Sequence, residues 1–239
     1  MRFQTFFQRL FSWRERRCAL VTVPVLLVSL VQVFAAMGTP ADTVSTRQLL
    51  SGALSSVAIP ALAIIASLFL NGGGFPLRDV VRPRLSCGTA CRKGIVYGIG
   101  MIALLIAFTA LQSCVLSRLG IEEGRQVVFT WLESPAYSKI VKLALLTDAV
   151  LLAPILEEMM YRGIFFGVMA AHRQRFWIPA LISGCYFALM HLHAEAFLPL
   201  LLFSLCTSYA YWKSGRIVTP ILMHLLYNVT SVLVWSFGG

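Results

Sequence analysis

Charge is the scarcest commodity in this chain. Asp, Glu, Lys and Arg make up 13% of its 239 residues, where roughly a quarter is usual in a soluble domain. Acids are rarer than bases, 10 against 20. With 58% hydrophobic residues and a mean hydropathy of +0.79, this shortage excludes an ordinary water-soluble globular domain. Metal-type spacing is missing as well. There is no HExxH, and the six cysteines are scattered, with Cys114, Cys185 and Cys206 in or beside apolar runs. Neither a secreted disulfide framework nor a CxxC site is indicated, and Cys87 and Cys91 share at most a helical spacing. Internal repeats are also lacking, which weighs against the repeat-built transporters.

What remains is a succession of apolar runs separated by short basic segments, the pattern of a polytopic membrane protein. The net charge of +10 suggests nucleic acid only in principle. The bases lie between apolar runs, as in cytoplasmic loops facing anionic lipid, so the expected partners include anionic lipids and no nucleic acid. Residues 1–17 form a basic amphipathic segment, read as a retained anchor rather than a cleaved signal. Apolar runs follow at 18–37, 53–70, 94–115, 140–171, 176–191, 196–212 and 217–235. Gly94 and Gly98 give the third run a spacing that permits close helix approach. The mixed-charge stretch 117–138 is expected outside the membrane with some helix. The run 140–171 is too long for one level crossing, so Pro154 is expected to kink or divide it.

The expected architecture is an all-α transmembrane helical bundle of about seven spans, eight if 117–171 holds a further crossing. Accessory helices and loops occupy 18–139, and the four C-terminal helices form a core at 140–239. Placing the N-terminus in the cytoplasm puts fourteen of the twenty Lys and Arg on the cytoplasmic side, which predicts a multi-pass protein of the cell membrane with its N-terminus inside.

The stretch Leu151–Gly163, LLAPILEEMMYRG, sets two glutamates and an arginine inside an apolar run. Charge in such a setting must be paired, hydrogen-bonded or put to use. On a helix, Glu158 and Arg162 share a face while Glu157 points about 100° away, so one acid can pair while the other stays free to act. A buried salt bridge locking helices is the plain alternative. His191 ends FALMH near the end of a run, where an interfacial or core histidine is commonplace. His224 and Asn228 in HLLYN share a helical face inside the last run, where an interhelical hydrogen-bond network is the plain alternative. Asp148 stands nine residues before Glu157 as a weaker supporting candidate. Together these side chains hold the parts of a hydrolytic site: a carboxylate and a histidine to move protons, and donors for the negative charge that develops on an attacked carbonyl.

EEMMYR at 157–162, FALMH at 187–191 and HLLYN at 224–228 resemble, in order, spacing and apolar context, the EExxxR, FxxxH and HxxxN motifs of the CPBP family, the CAAX-protease and bacteriocin-processing intramembrane proteases. The resemblance covers about 143–234. It implies that Glu157, helped by His191, activates the attacking water, that His224 and Asn228 stabilise the oxyanion, and that Glu158, Arg162 and Phe187 support them. It implies a membrane-embedded or membrane-associated peptide as substrate and no cofactor. A divalent metal such as zinc on Glu157, His191 and His224 is the alternative. A proton-coupled transporter, or a non-enzymatic membrane immunity or partner protein, is the alternative to a protease. A level-helix picture places His191 at the far end of its run and His224 near the cytoplasmic end of its own, which separates the two.

Overall fold

The structure is a computed structural model that describes residues 84–121, 124, 127–167, 169–170, 176–191 and 193–238, with short pieces at 45–48, 58, 61–62 and 64–65. The segment 1–17, the run 18–37, most of the run 53–70, Arg78, Arg82 and the basic turn 172–175 lie outside the described residues. Among the described residues every element is helical and no strand occurs.

Helix α1 runs over Cys87–Arg118 and encloses the run read at 94–115. Ser86 caps it, its hydroxyl accepting from the backbone N–H of Thr89 at 3.3 Å. At 32 residues, α1 is about 48 Å long and outreaches the roughly 30 Å hydrocarbon layer. A short helix, α2, occupies Val127–Glu133 within the stretch expected to carry some surface helix.

The long run is wound continuously but changes pitch. It comprises α3 (Lys139–Thr147), a π-helical segment π1 (Asp148–Leu152), α4 (Ala153–Glu157) and a second π segment π2 (Glu158–Phe166). Pro154 stands in the first turn of α4, at the switch of register. It divides the run without breaking it. Then come α5 (Trp177–Met190), α6 (Phe197–Ser214) and α7 (Val218–Gly238). Gly215 stops α6 in the left-handed region, φ 64°, and its N–H returns to the Tyr211 carbonyl at 2.8 Å.

Two of these helices, α1 and the Val218–Phe237 stretch of α7, are long and apolar enough to cross a membrane, while α5 is apolar over 14 residues. Large apolar side chains stay on the outside: Val96, Ile99, Ile106 and Leu111 of α1, Val234 and Phe237 of α7. A surface of this kind suits lipid and not water. The helices α1 and α7 touch closely where the glycine spacing allows it. A Cβ on Gly94 would come within 3.0 Å of the Thr219 carbonyl oxygen, and one on Gly98 within 2.9 Å of Leu226 Cδ1. At the same end, Arg216 Nε donates to the Leu85 carbonyl at 2.9 Å and the Thr219 hydroxyl to the Ala90 carbonyl at 3.2 Å. At the other end α2 is held to α7: Phe129 stacks on Trp235 at 5.3 Å, and the Trp235 indole N–H donates to Glu133 at 3.0 Å. These contacts fix α7, which carries His224 and Asn228, against its neighbours.

Candidate active site

The four side chains expected to do chemistry, Glu157, His191, His224 and Asn228, line one cavity of about 300 Å³. Phe187, His193, Phe203 and Tyr227 line it too, and much of the rest of the wall is apolar, drawn from α2, π1 and α7. The separation drawn from level helices does not occur. At 14 residues α5 is only about 21 Å long, so its end delivers His191 to the same cavity as His224, six residues into α7.

The two glutamates differ as the sequence suggested, and the structure adds a partner. Glu158 and Arg162 have side chains 0% exposed, with Arg162 Nη1 at 3.0 Å from Glu158 Oε1. This is an ion pair by distance rather than a well-directed hydrogen bond, since none of the three guanidinium nitrogens has a hydrogen-bonded partner. The same Glu158 oxygen lies 2.8 Å from His224 Nδ1, a contact across 66 residues of chain that no spacing announced. With the carboxylate accepting, the His224 proton at Nδ1 is fixed and its Nε2 is turned the other way. There it faces Glu157 Oε2 at 3.9 Å. Glu157 is 26% exposed and opens on the cavity. A single histidine therefore bridges a sealed carboxylate and an open one.

His191 is fixed in the same manner. Its Nδ1 lies 2.8 Å from the Phe187 carbonyl, which can only accept, so Nδ1 carries a proton and Nε2 is left for the cavity. The FxxxH spacing creates this bond, one helical turn back.

Asn228 donates from Nδ2 to the Ala149 carbonyl at 2.7 Å, and the local backbone explains why that carbonyl needs a donor. In π1 the N–H of Ala153 goes to Asp148. The next residue is Pro154, which has no N–H to offer Ala149 five residues back. The Ala-Pro pair before the glutamates thus frees a carbonyl, and Asn228 reaches across from α7 to take it. One N–H of the Asn228 amide is engaged in this way and a second remains.

A second pair lies beside the cavity, whose wall includes His193. His193 Nδ1 and Glu195 Oε2 are 3.2 Å apart, and Gln112 of α1 donates to the Glu195 backbone carbonyl. Hydrogen bonding to its own backbone N–H, then the His193 contact, hold the Glu195 carboxyl below its ordinary value. Asp148, the weaker supporting candidate, lies in π1.

Among the described residues no three His, Cys, Asp or Glu side chains stand together in a way that would hold a metal ion.

Sequence reasoning missed the Glu158–His224 contact, the hold of Asn228 on Ala149, and Phe203. Only the second left a trace, Pro154 standing five residues after Ala149.

An all-helical described fold with lipid-suited surfaces is that of a helical membrane protein, and carboxylates, histidines and an amide gather around one of its cavities. Residues 139–230 match the family described as Rce1-like, Type II CAAX prenyl endopeptidase Rce1-like, so the resemblance carried by the three motifs holds over that region. The chain is also similar to a protein of Bacillus subtilis (strain 168) named "Putative membrane peptidase YdiL", 30% identical over 84 residues, which are 35% of this chain and 34% of that protein. The match thus spans about a third of the length of that relative. No solved structure matches the chain.

Proposed function

We propose that this chain is an intramembrane endopeptidase that hydrolyses a bond in a membrane-associated peptide with water activated by Glu157. The observation that carries the reading is the sharing of one cavity by Glu157, His191, His224 and Asn228. The family match over 139–230 supports it.

In this mechanism a water in the cavity gives a proton to the Glu157 carboxylate as its oxygen attacks the substrate carbonyl carbon. His191, with Nε2 free, orients that water or shares its proton. Negative charge then develops on the carbonyl oxygen. His224 donates to it from Nε2 when its ring carries both protons, and the unengaged N–H of Asn228 donates alongside. Collapse of the tetrahedral intermediate breaks the C–N bond, and the proton held by Glu157 passes to the leaving amine. Glu158 and Arg162 hold His224 in place and stay outside the reaction. The seven-span layout, a cell-membrane location with the N-terminus in the cytoplasm, and anionic lipid at the basic loops belong to the same proposal.

The test is cleavage of an internally quenched peptide ending in a prenylated CAAX sequence, and of its unprenylated twin, by the full chain in liposomes. Wild type is compared with Glu157→Gln, with and without chelator. Cleavage lost in the variant and retained under chelator supports the mechanism. Normal cleavage by Glu157→Gln refutes it, and preference between the two peptides reports whether the prenyl group is read.

A further inference from the structure

Arg162 presents an energetic difficulty. Its guanidinium is wholly buried, its nitrogens lack hydrogen-bonded partners, and a single carboxylate stands at 3.0 Å. Two aromatic rings occupy the remaining approach: the guanidinium carbon is 4.5 Å from the centre of Phe187 and 5.7 Å from that of Phe203. These rings are stacked on each other, 5.6 Å apart and 19° from parallel. Phe187 belongs to the FALMH motif. Phe203 comes from α6, which carries none of the three motifs, yet it makes the closer contact with the site histidine. Its ring meets His224 edge to face at 4.7 Å, where Phe187 stands at 6.2 Å. It also packs on Tyr227 at 5.1 Å and borders the cavity.

One hydrogen bond does not fix an imidazole. The imidazole is hinged at its Cβ–Cγ bond, and the Nδ1 contact with Glu158 still lets the ring tilt within hydrogen-bond tolerance, which shifts Nε2 on its far side relative to Glu157. A ring packed across the imidazole removes that freedom. We infer that Phe203 is a positioning residue of this site: it sets the plane of His224 between the two glutamates and completes the aromatic seat of Arg162. The inference rests on the peptidase reading for its kinetic consequence alone; the hold on His224 stands or falls by itself.

The full chain in detergent micelles, with ¹⁵N-labelled histidine, tests it without substrate. The sequence has four histidines, and the His224 signals are those lost in H224Q. Phe203→Leu removes the ring at similar bulk; Phe203→Met serves if the leucine variant does not fold. Phe166→Leu is the control, a ring equally buried but packed against Phe176, Tyr211 and Trp212. F203L is expected to displace the His224 ring signals, F166L to leave them in place, and Phe203→Tyr to return them. On the prenylated peptide kcat in F203L falls about tenfold or more with KM within about twofold, and Phe203→Tyr recovers most of it. Unmoved His224 signals in F203L, or equal displacement in F166L, overturn the inference, as does a raised KM at unchanged kcat. Normal cleavage by Glu157→Gln overturns the peptidase reading instead, and the histidine signals still decide the role of Phe203.

Discussion

Replacing Glu158 by glutamine separates the two adjacent acids by stability rather than by activity. The glutamine keeps an oxygen to accept from His224 Nδ1, so that hydrogen bond survives. What disappears is the charge 3.0 Å from a fully buried guanidinium. At that distance and an effective dielectric of about 20, the attraction is of the order of 5 kcal/mol. Removing one partner of a buried pair costs about 3–5 kcal/mol, because the other is stranded. Cation–π contacts with Phe187 and Phe203 offset about 1–2 kcal/mol of the stranding, so about 3 kcal/mol is expected. Glu157→Gln should cost less than about 1 kcal/mol, since that side chain is 26% exposed and the nearest basic nitrogen, His224 Nε2, is 3.9 Å away. Arg162→Met added to Glu158→Gln removes the stranded cation and should recover at least about 2 kcal/mol. The assay is unfolding in mixed micelles of mild detergent and SDS, followed by circular dichroism. Equal stability of the two glutamine variants, or no recovery in the double variant, would refute this account of the pair.

Asn228→Ala leaves the Ala149 carbonyl without its donor and should cost about 1–3 kcal/mol; adding Pro154→Ala restores a backbone N–H five residues on, and should recover part of that loss in the same unfolding assay. Gly94→Val drives a side chain into a backbone oxygen 3.0 Å away, with an expected cost of about 1–3 kcal/mol. Gly100→Ala, where nothing lies within 4 Å, should leave stability unchanged or raised. The Glu195 carboxyl is held below its ordinary 4.5, first by its own backbone N–H and then by His193. Its contribution is therefore complete above 4.5 and disappears as pH falls through the lowered value. Amide hydrogen exchange at 193–196 should differ between wild type and Glu195→Gln at neutral pH and converge in acid.

The sequence by itself determined the helical class, the lipid-suited surface and the residues of the three motifs, because these are local properties. Apolar run length decides whether a segment suits a bilayer, and spacing decides which side chains share a helical face. The pairing of Glu158 with Arg162 is of this kind: four residues separate them, and the contact survives the change of pitch into π2. The family resemblance, read over about 143–234 and matched over 139–230, was legible for the same reason. Tertiary structure alone decided how the site closes. His224 meets Glu158 across 66 residues because α7 is drawn against α1 at Gly94 and Gly98 and tied to α2 through Trp235. The Asn228 bond depends on a π register that leaves Ala149 exposed, and only the proline hinted at it. Phe203 is one of sixteen phenylalanines, and nothing local marks it. An aromatic ring declares its role only by what it is packed against, and that is set by the crossing of whole helices.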